Sequence, residues 1–278
     1  MIVGQNKNND TLPSIVTITE PYSSSSDITI IWNKFRFLNR KEFHMVGDLN
    51  LTFLKFTNQG HYFGHFDFPE ATCKLDICPI DYLALYGEKV DSQYKFPCLC
   101  FYQYDSEFDG LKGLFNAIYY DDKRLLSKCK DRLEPYHYVI SPDYSICSDV
   151  PQIENLYRIF KSRIVGSYLV NELGKIVIPN ISFVDETTKE VALSGIAKGS
   201  AVAISSKGLL KGKDKQYLLD YIVDKTLKEI QPNIVILYNV SVKSSKLEEI
   251  VTKIKNVGVK VRIPPNKLLI RNQILEAI

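Results

Sequence analysis

Short apolar runs separated by longer amphipathic segments organise the chain from Phe96 onward. Apolar, β-branched runs predict strands at residues 138–140, 175–178, 201–204, 234–237 and 259–263. Helical periodicity predicts helices near residues 123–133, 152–173, 214–230 and 247–255. Parallel strands need long crossover connections, so this alternation predicts an α/β fold with a mostly parallel sheet flanked by helices. A half-barrel and a doubly wound sheet both fit the pattern.

The chain before Phe96 follows a different pattern. Residues 1–12 are polar and lack any period, which predicts a disordered tail. Aromatic or β-branched runs bounded by Gly, Asn or Pro predict strands at 15–19, 27–32, 51–56 and 61–68. We therefore expect three regions: a disordered tail at 1–12, a β-rich N-terminal region at 13–95 and an α/β domain at 96–278.

Composition narrows the class of protein. The 278 residues are 45% hydrophobic, which is enough for a sizeable core. The net charge of +3 lacks the basic excess of a dedicated nucleic-acid binder, so anion recognition has to come from local clusters. The start is polar and no run approaches about 18 apolar residues, so we expect no export signal, no membrane span and a cytoplasmic location. The six cysteines are then expected to be reduced thiols.

Polar residues follow three of the predicted strands, at the point where each strand ends. In parallel α/β folds the reactive groups lie just beyond the carboxyl ends of the strands. The candidates there are Asp143 and Asp149 after the first strand, Asn180 after the second, and Ser205, Ser206 and Gly208 after the third. We expect Asp143, Asn180 and Ser205 to converge on one edge of the sheet. The alternative for both aspartates is a structural one, in which they cap turns and the following helix.

A second candidate is a lysine-rich loop at residues 198–215. Its basic residues are interleaved with three glycines, with Gly195 just before them, and are offset only by Asp214; they are Lys198, Lys207, Lys211, Lys213 and Lys215. Glycines let backbone amides approach an anion, so the loop predicts a phosphate cradle for a nucleotide or nucleic acid. It lacks the glycine spacing of phosphate-loop and dinucleotide-binding motifs. The alternative is a solvated surface segment.

Arg163 is the third candidate. On a helical projection it lies at the edge of an apolar face that includes Ile153, Tyr157 and Phe160. An arginine there either pairs with a carboxylate or phosphate near the sheet edge or extends its charged end into solvent. The second behaviour is the simpler expectation from the projection.

The sequence gives little support for a metal site or for a catalytic histidine. His61 and His65 share a predicted strand, where side chains four residues apart are separated by about 13 Å, too far to hold one metal unless the strand bends at Gly64. We therefore treat them as surface residues, and the nearby Cys73 and Cys78 as packed ones. His137 precedes the strand that leads to Asp143 and stays open as its acid or base partner.

Four ordered blocks resemble one protein family. They are Tyr138-Val-Ile-Ser-Pro-Asp-Tyr-Ser145 with Asp149-Val-Pro151, Arg163 with Gly166, Val177-Ile-Pro-Asn180, and Gly195-Ile-Ala-Lys-Gly-Ser-Ala-Val-Ala-Ile-Ser205 ending at Gly208. A weaker one is Pro232 before Ile234-Val-Ile-Leu-Tyr238. Together they resemble the domain of unknown function 4417 family over residues 96–260. The resemblance implies a phage, prophage or plasmid origin without implying an established activity.

The polar motif positions of that family fall on the strand-end candidates. They correspond to Asp143, Asp149, Arg163, Asn180, Ser200, Ser205 and Gly208. The sequence departs from the family pattern at Phe183, where a Trp is usual, and at Cys147, Ser206 and Asn239. If the Trp position stacks a ligand, the resemblance implies that this chain has altered or lost that ligand.

Two hypotheses of function follow. In the first, a strand-end pocket uses Asp143 as general base or metal-binding carboxylate, Asn180 and Ser205 orient substrate, and Arg163 with Lys207 holds the phosphate of a nucleotide or nucleic acid. The predicted binding set also includes Asp149, Ser200, Ser206 and Gly208. In the second, the chain is a non-enzymatic binding protein: a DNA replication or maintenance factor using the lysine loop, or a phage-encoded inhibitor using the N-terminal region against a host protein. The sequence leaves the cofactor, enzyme activity and oligomeric state open.

Overall fold

The computed structural model describes residues 61–277. By its internal contacts the chain divides into two units, Met1–Leu49 and Asn50–Ile278, and all the described residues belong to the second. The tail predicted at 1–12 and the strands predicted at 15–19, 27–32 and 51–56 lie outside the described residues.

The described residues form nine strands and eight helices. The strands are β1 (Tyr62–Phe63), β2 (Phe68–Pro69), β3 (Tyr82–Leu85), β4 (Pro97–Cys100), β5 (Tyr138–Ile140), β6 (Ile176–Ile178), β7 (Val202–Ser205), β8 (Ile234–Tyr238) and β9 (Lys260–Arg262). The helices are α1 (Asp105–Phe108), α2 (Leu114–Tyr119), α3 (Lys123–Leu133), α4 (Gln152–Asn171), α5 (Glu186–Leu193), α6 (Lys213–Glu229), α7 (Ser245–Asn256) and α8 (Lys267–Ala277). None of these helices is both long and apolar enough to cross a membrane.

The strands from β3 to β9 are parallel and follow one another in chain order. One sheet has the order β3-β4-β5-β6 and a second has the order β7-β8-β9. A parallel bridge between Asn180 and Ala203 connects the two, and the amide of Ala203 donates to the carbonyl of Pro179 at 2.9 Å. At the other side the amide of Leu83 in β3 donates to the carbonyl of Pro265, just beyond β9, at 2.9 Å. The strand order therefore closes on itself as a barrel.

The predicted α/β class with a mostly parallel sheet flanked by helices is confirmed. Chain-order pairing is that of a singly wound barrel, whereas a doubly wound sheet reverses its strand order partway. Each predicted helix and strand from residue 123 to 263 appears within about two residues of its expected position, as is normal for element ends.

Alternation along each strand sorts the core into an inner and an outer layer. On β8, Ile234 and Ile236 pack with the interior residues of the other strands. Their neighbours Val235 and Leu237 instead pack outward against the surrounding helices. Successive side chains of a strand point to opposite faces, so a closed sheet has one layer inside it and one between sheet and helices.

Residues 73–80, which we call the plug, close the amino ends of the strands. Its residues Cys73, Leu75, Cys78 and Ile80 belong to the interior cluster. The carbonyl of Cys73 accepts from the amide of Ala201, at the start of β7, at 2.9 Å. The ammonium of Lys260, the first residue of β9, donates to the carbonyl of Asp76 at 3.2 Å. The plug thus fills the barrel interior at the amino ends, and the candidate residues that follow the strands lie at the other end.

The strand predicted at 61–68 is wrong. The segment is a hairpin in which β1 pairs antiparallel with β2. Gly64 and Asp67 have φ angles of 74° and 51°, which reverse the chain between the two short strands. The period of the aromatic residues concealed a turn whose only strong signal is Gly64.

Candidate functional site

A hydrogen-bonded polar cluster lies at the carboxyl ends of the barrel strands. The amide nitrogen Nδ2 of Asn180 donates to Oδ1 of Asp143 at 2.7 Å. The hydroxyl of Tyr102 donates to Oδ1 of Asn180 at 2.8 Å. Asn180, which follows β6, therefore joins the phenol of Tyr102, which follows β4, to the carboxylate of Asp143, which follows β5. We call Tyr102, Asp143, Asn180 and Lys207 the mouth cluster.

The backbone explains why these side chains meet. The amide of Ser141, the residue after β5, donates to the carbonyl of Ile178 at the end of β6, at 2.9 Å. The hydroxyl of Ser141 in turn accepts from the amide of Asn180 at 2.9 Å. These two bonds fix the register of the strand ends, so Asp143 and Asn180 face each other. The predicted convergence of these two residues is what the structure shows.

The environment of Asp143 shifts its proton affinity. Burial raises the pKa of Asp143 to about 6, from an ordinary value of 3.8. The hydrogen bond from Asn180 opposes that rise, the negative charge of Asp105 adds to it, and the positive charge of Lys207 opposes it. A carboxyl group whose pKa lies this close to neutrality can exchange a proton under physiological conditions.

Tyr102 anchors the cluster to the barrel interior. Its ring stacks on that of Tyr238, with centroids 4.5 Å apart. Burial is the main cause that raises the pKa of Tyr102 well above its usual range, so the phenol keeps its proton and stays a donor. The hydroxyl of Tyr238 is buried and has no hydrogen-bond partner among the described residues.

Lys207 brings a positive charge to the same edge. Its ammonium donates to the backbone carbonyl of Tyr102 at 2.8 Å, and it lies 5.8 Å from the ring centre of Tyr104. Ser205 lies at the end of β7, and its hydroxyl accepts from the amide of Lys207 at 3.2 Å. Ser205 thus orients the lysine segment rather than Asp143 directly.

Ser206 and Gly208 have backbone roles. Ser206 is buried, and its hydroxyl donates to the carbonyl of Tyr238 at 3.1 Å, which fastens the end of β7 to β8. Gly208 has a φ angle of 79°, a conformation that favours glycine, with open space around it. Both residues shape the loop that carries Lys207.

The lysine-rich segment is divided by strand β7. Lys198 precedes the strand and lies toward its amino end, while the other four lysines follow it. A four-residue strand spans about 13 Å, so Lys198 does not share a patch with the rest. The predicted phosphate cradle reduces to the part from Lys207 to Lys215, which leads into the first turn of α6.

Arg163 is buried, and the expectation that its charged end reaches solvent is wrong. The side chain is 6% exposed, while Ile153 on the predicted apolar face is 72% exposed. Its nitrogen Nη2 donates to the carbonyls of Ala192 and Ser194 at 2.6 and 2.9 Å, near the end of α5. The second half of α4 is buried on several sides because it packs against both the barrel and α5, so a single-face projection misplaces its residues.

Three other candidates lie outside the mouth cluster. Ser200 is at the opposite end of β7, where its hydroxyl accepts from the amide of Cys73 in the plug at 2.9 Å. Asp149 is exposed, and no side chain caps the start of α4, so its expected capping role there is wrong. His137 is exposed at the amino end of β5, the end away from Asp143.

The structure also bears on two kinds of ligand site: an aromatic platform at Phe183 and a metal site. Phe183, where the resemblance implies a Trp, is fully buried and packs edge-on against Tyr221, with ring centroids 5.5 Å apart. It is a core residue in this chain rather than a ligand platform. Within residues 61–277 no group of three or more His, Cys, Asp or Glu side chains is placed to hold a metal ion.

Sequence reasoning missed Tyr102, Tyr238 and Asp105. Tyr102 follows β4 just as Asn180 follows β6, so the strand-end rule applied to the apolar run at 98–102 would have found it. Asp105, whose carboxylate accepts from the amide and hydroxyl of Ser145, has no such signal because it lies within the short helix α1.

These features define a parallel α/β barrel protein with a polar, charged cluster at the carboxyl ends of its strands. Residues 64–255 match the family described as Domain of unknown function (DUF4417), and the chain belongs to that family. The match starts well before residue 96 and includes β3, the first strand of the barrel.

Two phage proteins are similar to this chain. The Gene 1 protein of Mycobacterium phage L5 is 31% identical over 124 residues, which is 45% of this chain and 52% of that protein. The Gene 1 protein of Mycobacterium phage D29 is 27% identical over 124 residues, or 45% of this chain and 44% of that protein. The chain thus spans about half the length of the curated relatives it matches. No solved structure matches it.

Proposed function

We propose that this protein acts on a phosphate-bearing ligand, a nucleotide or nucleic acid, at the mouth of the barrel. The observation that carries the proposal is Asp143, a carboxylate at a strand end whose pKa is raised to about 6. Asn180 orients it through a 2.7 Å hydrogen bond. Carboxylates with raised pKa values at the carboxyl end of a parallel barrel are more typical of reacting groups than of structural ones.

In this proposal Asp143 is a general base. With a pKa of about 6 it is mostly ionised at pH 7, yet it binds a proton far more readily than an ordinary aspartate. Asn180 keeps one carboxylate oxygen fixed, and Tyr102 in turn fixes Asn180. With its position fixed by these two hydrogen bonds, the carboxylate of Asp143 can take a proton from a hydroxyl group or water placed beside it.

The phosphate class is supported by charge at the same edge of the sheet. Lys207 reaches across to the carbonyl of Tyr102, and Lys211, Lys213 and Lys215 follow it. Helix α6 begins at Lys213, so its positive dipole end adds to these charges. A ligand with a phosphate at α6 and a reacting group near Asp143 fits this distribution of charge.

A thermal-shift series tests the proposal. Wild type, Asp143→Asn and Asp149→Asn are melted with nucleotides, sugar phosphates and short DNAs. A ligand that binds the folded state raises the melting temperature by mass action. We expect a phosphate-bearing ligand to stabilise wild type and the exposed control Asp149→Asn, and to stabilise Asp143→Asn much less. If no phosphate-bearing ligand raises the melting temperature of wild type, the proposal fails and a protein partner becomes the better hypothesis.

A further inference from the structure

The guanidinium group of Arg163 has one nitrogen that forms no hydrogen bond within the described part of the chain. The side chain is 6% exposed, and its Nη1 is buried without a hydrogen-bond partner among the described residues. A buried donor left unpaired costs about 1–3 kcal/mol, and more when it is charged. Native proteins keep few such groups, and those they keep often mark a ligand or an ordered water.

The charge of Arg163 is also uncompensated. None of the ion pairs among the described residues includes Arg163, and its two hydrogen bonds are to neutral carbonyls. Burial lowers the pKa of Arg163 to about 10, which still leaves it protonated at neutral pH. Arg158, which lies on the same helix, is paired with Glu154 at 3.0 Å. Among the described residues the charge of Arg163 therefore has no ion-pair partner.

A small cavity lies at this arginine. It has a volume of about 20 Å³, and besides Arg158 and Arg163 its polar lining comes from Ser162, Asn180 and Ser182. That volume accepts about one oxygen-sized group. Ser162 already donates its hydroxyl proton to the carbonyl of Pro142, whereas Arg163 keeps a free donor.

The cavity adjoins the mouth cluster. Pro142 and Tyr144 line it, and the residue between them, Asp143, points instead to Asn180. Asn180 itself lines the cavity as well. A group held by Arg163 would thus lie behind the residue that orients the proposed base.

We propose that this cavity receives one oxygen of an oxyanion, which Arg163 binds through Nη1. The inference rests on the proposed function in one respect, since it places a second acidic group of the same ligand beside Asn180, apart from the phosphate at α6. Phosphate and carboxylate share the required chemistry, a planar or tetrahedral oxyanion that accepts a charge-assisted bond from guanidinium. The rest of such a ligand would extend out of the cavity, because the space holds a single oxygen.

The test uses inorganic phosphate and acetate as probes, with chloride at equal ionic strength as reference. Binding to the full chain is measured by calorimetric titration and by thermal shift. We expect phosphate, acetate or both to bind wild type, and Arg163→Met to weaken that binding roughly 10- to 100-fold, as loss of a charged hydrogen bond implies. Which probe binds more tightly distinguishes a phosphate ligand from a carboxylate.

Two further variants keep the test decisive. Ser182→Val fills the cavity without touching the bonds of Arg163, so it should weaken anion binding even if Arg163→Met fails to fold. Lys207→Met removes a cation of the mouth cluster and tests the lysine segment as the other place where the bare anion could bind. If Lys207→Met abolishes binding while Ser182→Val and Arg163→Met do not, the anion site lies at the lysine segment and the inference is wrong.

Asp143→Asn separates this inference from the proposed function. Anion binding that survives in Asp143→Asn and is lost in Arg163→Met supports the cavity even if no reaction at Asp143 is ever found. If neither phosphate nor acetate binds wild type above the chloride reference, the cavity holds only water and the inference is overturned.

Discussion

The two ends of the barrel differ in how well their polar groups are satisfied. At the amino end, the plug and the strands exchange hydrogen bonds through Cys73, Ser200 and Lys260. Four buried side-chain atoms lack a partner among the described residues, in Gln103, Asp109, Arg163 and Tyr238. Gln103 and Tyr238 lie at the carboxyl end of a strand, Asp109 lies at the end of α1, which follows β4, and Arg163 lies at the cavity beside Asn180.

This difference indicates that the amino end serves stability and the carboxyl end serves binding or reaction. Each buried unsatisfied group costs about 1–3 kcal/mol, so a sequence selected only for stability would not gather them at one end. The raised pKa of Asp143 is a further unfavourable term at that same end. Proteins commonly accept such costs where a site binds or reacts, and recover them elsewhere. We infer that the packed amino end supplies the compensating stability, which the plug variant below tests.

The largest effect is expected from truncating an apolar side chain of the plug, which tests whether the amino end stabilises the barrel. Leu75 is 8% exposed and packs in the interior cluster. We expect Leu75→Ala to lower the free energy of unfolding by about 2–5 kcal/mol, because it leaves a cavity in a close-packed interior. Chemical denaturation at pH 7 measures the change. A loss below about 1 kcal/mol would mean that the plug does not stabilise the barrel.

Asp143→Asn should act in the opposite direction. The folded-state pKa of about 6 exceeds the ordinary 3.8, so the folded protein binds the proton more tightly than the unfolded chain. The free energy of unfolding therefore falls as pH rises between those two values, and the full cost is present above about pH 6. Asparagine cannot ionise and can still accept the bond from Asn180. We expect Asp143→Asn to be more stable than wild type by about 1–3 kcal/mol at pH 8.

The same comparison at low pH is the control. Below pH 3.8 Asp143 is protonated in both states, so the advantage of Asp143→Asn should vanish there. Denaturation of both proteins at pH 8 and at acidic pH measures it. A variant that is less stable than wild type at pH 8 would mark Asp143 as a structural residue.

Ser200→Ala gives the smallest effect and sharpens the distinction between the ends. It leaves the amide of Cys73 without its 2.9 Å bond inside the barrel. We expect a loss of about 1–2 kcal/mol in the free energy of unfolding and no change in ligand or anion binding. If Ser200→Ala changes ligand or anion binding without changing the free energy of unfolding, Ser200 is a site residue, as the family resemblance implied.

Much of the fold could be predicted from the sequence because the elements after residue 123 have clear periods. The pattern left a half-barrel and a doubly wound sheet open; the strand order excludes the doubly wound sheet, and the strands close into a full barrel rather than half of one. That order depends on long-range pairings, such as the one between Leu83 and Pro265, for which no local signal exists. Strand β3 was missed because its sequence, Tyr-Leu-Ala-Leu, contains no β-branched residue, unlike the strands that were predicted after residue 123.

The site was only partly predictable, for the same physical reason. Asp143 and Asn180 meet because parallel strands end at one edge, which the sequence pattern already implies. Ser200 precedes its strand and so belongs to the other end, a distinction of a few residues that motif matching ignores. Burial of Arg163 depends on α5 packing over α4, and a helical projection of α4 alone cannot show it.

The central claim is that the carboxyl end holds a carboxylate prepared to exchange a proton near neutral pH. The most direct test is a carbon-13 NMR titration of the Asp143 carboxyl group in wild type, assigned with Asp143→Asn. The account predicts a midpoint near 6, since burial raises the pKa of Asp143 to about 6. A midpoint near the ordinary 3.8 would show an aspartate like any other and would contradict the proposed base.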